Sequence, residues 1–195
     1  MALQGNRSRF WIAVIAASVL ASFGTSSVGE GDERVPEMKI GKLQAAFNVA
    51  RKETRVFVLL SPTSVKCQRG AAAVQAMLKR HPDADVRVFL VWEPVGEKDR
   101  KGEREAAFLK GTDPRLVQFW DPRLELSNRI VTEAQDRPEL LKGVENVRKN
   151  MVIWDAVSVY APRVRWQGNL PMPDYYGRSV VDKIADVETL VAAGK

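Results

Sequence analysis

The order of apolar segments in this chain predicts an α/β protein, a mixed central sheet of about five strands with helices on both faces. Three observations predict it. Arg55–Leu60 and Val86–Trp92 are short, nearly continuous apolar runs rich in β-branched and aromatic residues, the pattern of strands buried on both faces. Segments with apolar residues at helical spacing separate them, as parallel βαβ units require. Near the C-terminus, Ala156–Tyr160 and Val164–Trp166 flank Ala161-Pro162-Arg163, which reads as a hairpin.

Each element follows from its own pattern. Glu37 to Lys52 places Ile40, Leu43, Phe47 and Ala50 on one helical face. The strand Arg55–Leu60 leads into a helix from Val65 to Arg80, capped by Ser64. Its buried stripe is Cys67, Ala71, Val74, Met77 and Leu78, and His81-Pro82-Asp83 ends it. After the strand Val86–Trp92, the charged stretch Lys98–Lys110 reads as a surface helix. Arg115–Trp120 is a third strand, and Asp121-Pro122 a helix start with proline at the first helical position. A mostly polar helical region from Arg123 to Lys149 breaks near Asp136-Arg137-Pro138. Pro171-Met172-Pro173-Asp174-Tyr175-Tyr176-Gly177 reads as a hydrophobic lid over the sheet edge. Ser179–Ala192 closes the chain as a helix with Val180, Ile184, Val187 and Leu190 on one face.

A length of 195 residues, 45% of them hydrophobic and 28% charged, suits one domain with an N-terminal extension. Arg7 and Arg9 precede the apolar run Phe10 to Ala21, small residues follow, and no acid occurs before Glu30. That is the layout of a secretory signal, with cleavage after Val19-Leu20-Ala21 the first candidate. The run falls short of the roughly 20 residues a spanning helix prefers, so cleavage is favoured over an uncleaved anchor. The expected organisation is a signal peptide or N-terminal anchor over 1–28, a linker over 29–37 and one domain over 38–195. The expected localisation is exported, periplasmic or extracellular, with membrane anchoring by the N-terminal segment as the alternative.

Cys67 is the one cysteine of the chain. An oxidising compartment makes an unpaired thiol unusual, and no internal disulfide can form. Cys67 is therefore buried and inert, paired with another molecule, or reactive.

The element order, with Ser64-Val65-Lys66-Cys67 following the first strand, resembles the thioredoxin-like superfamily, in particular its exported thiol-disulfide oxidoreductase and peroxiredoxin-like branch. Leu60-Ser61-Pro62-Thr63 and the Trp120-Asp121-Pro122 stretch also look like exported, bacterial members. The resemblance spans about residues 38 to 195 and implies that Ser64-x-x-Cys67 occupies the place of a Cys-x-x-Cys pair. Ser64 then replaces the nucleophilic cysteine, and Cys67 corresponds to the resolving one. The family's proline facing the motif has no counterpart in Val152-Ile153-Trp154-Asp155-Ala156. Peroxiredoxins carry Thr/Ser-x-x-Cys with a proline four residues earlier. Ser64 and Cys67 fit, but Leu60 holds that place, Pro62 comes two residues late, and only Arg69 or Arg163 offers the arginine such a site needs.

Two functions follow as expectations. The first is an accessory or binding module without dithiol chemistry, in envelope redox or protein maturation. The second is a one-cysteine peroxidase or monothiol reductase. In the second, Ser64 orients a Cys67 thiolate stabilised by the helix N-terminus, Lys66 and Arg69. Glu93, Asp121 and Asp155 each follow a tryptophan at a strand end, in Trp92-Glu93-Pro94, Trp120-Asp121-Pro122 and Trp154-Asp155. With Pro62 and Trp154 they are candidate neighbours of Cys67, although acids there would raise its pKa. Cys67 and His81 lie at opposite ends of one helix, so no metal or other cofactor is expected. The net charge of +6 is spread among acids, which argues against nucleic acid. The expected partner is another protein, a small thiol or a peroxide, with membrane contact only through the N-terminal segment.

Overall fold

The structure, a computed structural model, describes residues 35–100, 108–142 and 151–194. The chain divides into residues 1–32, which hold the expected signal and lie outside the described residues, and residues 33–195. Among the described residues no helix is long and apolar enough to cross a membrane.

The elements are α1 (Ile40–Val49), β1 (Thr54–Leu60), α2 (Val65–Arg80), β2 (Val86–Trp92), the short α3 (Glu97–Arg100), β3 (Leu116–Trp120), α4 (Glu125–Asp136), a 3-10 turn (Pro138–Leu141), β4 (Ala156–Tyr160), β5 (Tyr175–Arg178) and α5 (Val180–Ala192). They build one five-stranded sheet in the order β3-β2-β1-β4-β5. β1, β2 and β3 run parallel, while β4 is antiparallel to β1 and to β5. The mixed sheet with helices on both faces is thus as the apolar patterning requires.

The period-2 alternation of the central strands divides the core into two. Val56, Val58 and Leu60 of β1 and Val88, Leu90 and Trp92 of β2 face α2 and α5. Phe57, Leu59, Phe89 and Val91 face α1 and α4. The predicted stripe of α2 is buried throughout, from Cys67 to Leu78. Gly70 lets α5 approach α2, since a Cβ there would lie 3.1 Å from Val180 Cβ.

Four expectations need correction. Among the described residues of the charged stretch, helix covers Glu97–Arg100, whereas Phe108 and Leu109 are irregular; 101–107 fall outside the described residues. Phe108 packs its ring 6.0 Å from Trp92 and 6.2 Å from Trp120, while Gln118 takes both backbone groups of Leu109. The helix after β3 begins at Glu125, not at Asp121-Pro122, because Leu124 adopts a left-handed conformation (φ 57°) first. Only its first part, Glu125 to the 3-10 turn, falls in the described residues.

The third correction concerns the hairpin. Arg163 turns the chain with φ 73°, but Val164–Trp166 form no strand. Their backbone groups are captured by side chains instead. Arg55 donates to the Val164 carbonyl (2.9 Å), Asn48 accepts from Trp166 N–H (2.9 Å), and Asn48 and Gln44 donate to the Trp166 carbonyl. Trp166 thereby drops into the core 6.0 Å from Phe47 and 6.1 Å from Phe57. The strand partner of β4 is Tyr175–Arg178, which corrects the reading of that stretch as a lid.

Candidate functional site

Cys67 lies in the first turn of α2, at the carboxyl end of the parallel strands. Ser64 is the N-cap, its hydroxyl accepting from the Cys67 N–H at 3.4 Å. The thiol is fully buried among the residues facing α2 and α5. Burial pushes its pKa up. Hydrogen bonds from the Ser64 side chain and the Ser61 backbone pull it down without offsetting this, and the negative charges of Asp155 and Asp99 add to the rise. A thiolate activated by the helix N-terminus would need the opposite balance.

The nominated cations do not supply it. Lys66 Nζ reaches Asp155 Oδ2 at 3.6 Å and Asp182 Oδ2 at 3.7 Å. Arg69 is exposed and, among the described residues, forms no ion pair. Arg163 is bonded through its backbone to the Arg51 carbonyl, at the end of the sheet where β1 begins. Six residues of strand, about 20 Å, separate that end from the motif.

The three acids do not converge on Cys67 either, which corrects that expectation. Trp92 and Trp120 face α2, so the following residues, Glu93 and Asp121, point to the opposite face. There they anchor the start of α4. Asp121 Oδ2 accepts from Leu126 N–H at 2.9 Å, and Glu93 Oε1 from Ser127 N–H at 3.1 Å. The Ser127 hydroxyl continues the network, accepting from Ile153 N–H at 2.6 Å. Both acids are fully buried, and burial raises both pKa values; the Asp121 charge pushes Glu93 further, well above the ordinary range. Glu93 Oε2 has no hydrogen-bond partner among the described residues.

Asp155 alone stays beside the motif. In a left-handed conformation (φ 49°), it accepts from Val180 N–H at 2.9 Å, while its carbonyl accepts from Ser179 N–H. It therefore ties the start of α5 to the sheet edge, with Trp154 partly buried next to it. Pro62 is buried, and its carbonyl accepts from Gln68 Nε2 at 2.8 Å.

Sequence reasoning missed one residue here. Asp99, assigned to a surface helix, is fully buried. Its Oδ1 accepts from Thr63 N–H (2.8 Å), and its Oδ2 from the Ser61 hydroxyl (2.8 Å) and Gly96 N–H (2.7 Å). Burial works to raise its pKa, but these bonds outweigh burial and leave it lowered. The one cue in the sequence is Gly96-x-x-Asp99 after a strand. Among the described residues no group of three metal-ligating side chains forms.

No protein-family profile matches the chain, and no curated protein matches it by sequence. Among solved structures, it is similar to a thioredoxin-like protein in its oxidised form, with a TM-score of 0.44 and 14% identity over 73% of this chain and 79% of that one. It is also similar to the thioredoxin domain of a thiol-disulfide oxidoreductase from Bacteroides vulgatus, with a TM-score of 0.40 and 10% identity over 74% and 83%. The parallel β1-α2-β2 unit, the antiparallel β4-β5 pair and the closing helix α5 together give this chain a thioredoxin-like fold.

Proposed function

We propose that this protein is an exported accessory or binding module of envelope redox or protein-maturation systems that uses the thioredoxin-like scaffold without thiol chemistry. The observation that supports this reading is the full burial of Cys67 on the core stripe of α2. Dithiol exchange within the chain needs two cysteines, and the chain has one. A peroxidase or monothiol reductase needs an accessible thiolate, whereas burial favours the neutral thiol. Ser64 then serves as a helix cap. An N-cap hydroxyl contributes about 1 kcal/mol, so a serine at this position requires no catalytic role. Lys66 belongs to the ion pairs that join α2 to α5 and to the Asp155 turn.

The test is turnover. The purified full chain is assayed for hydrogen peroxide consumption and for disulfide reduction, each with a thiol donor, beside Cys67→Ala. The reading predicts that both proteins stay at the rate of the donor alone. Turnover that Cys67→Ala abolishes would establish the enzyme instead.

A further inference from the structure

We infer that Asp99 is the positioning residue that keeps Cys67 closed, by holding the Ser61–Thr63 loop over the sulfur. The inference rests on the reading of Cys67 as a secluded thiol and adds what secludes it. Between β1 and α2 the chain has only Ser61 to Ser64 in which to turn, and the first two are buried. This loop runs straight into the turn of Cys67: the Ser64 hydroxyl at its end accepts from Cys67 N–H at 3.4 Å, and Gln68, next to Cys67, donates to the Pro62 carbonyl at 2.8 Å. It has little internal hydrogen bonding of its own, beyond Ser64 N–H to the Ser61 carbonyl at 3.3 Å. Its other ties run outward, to Asp99 and to Gln68.

The geometry at Asp99 is that of a clasp. One carboxylate oxygen takes Thr63 N–H and the other takes the Ser61 hydroxyl, so a single side chain grips the loop at both ends. The third bond, from Gly96 N–H, folds the segment after β2 back on itself and fixes the carboxylate in place. All three donors are neutral, and no lysine or arginine pairs with Asp99 among the described residues. Charge-assisted bonds are about twice as strong as neutral ones, so the ionised carboxylate holds where an amide would not. An asparagine offers one acceptor oxygen and turns an NH2 toward donors.

The experiment measures the labelling rate of Cys67 by a thiol reagent, on the native full chain under conditions where it stays folded. Asp99→Asn, Ser61→Ala and Asp113→Asn are compared with wild type, and global stability is taken from urea unfolding. Asp113 pairs with Arg115 away from the motif and serves as a control for general destabilisation. Loss of bonds to a charged group makes local opening at least about tenfold more populated, so Asp99→Asn labels at least about tenfold faster. Ser61→Ala gives a smaller increase, and Asp113→Asn none beyond its effect on global unfolding. Asp99→Asn labelling at the wild-type rate, or rising only as global stability falls, overturns the inference. If Asp99→Asn does not fold, Ser61→Ala against Asp113→Asn decides by the same criterion. Fast wild-type labelling would reject the secluded thiol itself, while the ratios between variants judge Asp99 separately.

Discussion

Glu93 directly follows β2 with its whole side chain out of water and one carboxyl oxygen without a hydrogen-bond partner among the described residues. Desolvation and the neighbouring Asp121 charge therefore favour its protonated form in the folded protein. In the unfolded chain the same group ionises near pH 4.3. As pH rises above that value, the unfolded state releases a proton that the folded state retains, and stability falls until the folded-state pKa is passed. Glu93→Gln keeps an acceptor for Ser127 N–H and removes the titration. Urea unfolding at pH 4 and pH 7.5 is expected to show the variant gaining on wild type at the higher pH, with most of the difference gone at the lower. A difference between variant and wild type that is the same at both pH values would show that Glu93 ionises in the folded protein as it does in the unfolded chain. The three Trp-acid pairs look alike in sequence, and each acid ends at a helix start. Which face each acid occupies depended on strand parity, and which helix it holds depended on contacts formed across the fold. Neither is written in the local residues.

Elements with a strong local period were legible to within a residue or so. Val86–Trp92 and Ala156–Tyr160 are the predicted strands, and α2 carries the predicted cap, stripe and end. Val164–Trp166 misled because its residues have strand character, while its backbone partners come from α1 and from Arg55 of β1, more than a hundred residues earlier. Asn48 carries most of that substitution, giving and receiving a hydrogen bond at Trp166. Asn48→Ala leaves the two Trp166 backbone groups with only Gln44 in reach. A buried group without its partner costs about 1–3 kcal/mol, and urea unfolding is expected to report a loss in that range. Loss of less than about 0.5 kcal/mol would mean that Trp166 is held by packing alone.

At the scale of the molecule, the sheet separates two kinds of chemistry that sequence reasoning had placed together. Cys67 lies on the face of α2 and α5, whereas the acids after Trp92 and Trp120 lie beneath α4 on the other. Asp99 and Asp155 brace the turn between β1 and α2 and the start of α5, while their charges oppose ionisation of the thiol. The fold was legible because alternating apolar runs dictate layers. The site was less so, because seclusion of a sulfur depends on a loop, an aspartate 32 residues away in sequence and a helix from the far end of the chain. The central claim is that Cys67 is closed in the native protein, and the most direct test is its reaction with a thiol reagent before and after unfolding. The account predicts labelling on the order of a hundredfold or more slower in the native full chain than in denaturant. Native labelling as fast as that of the unfolded chain would contradict it.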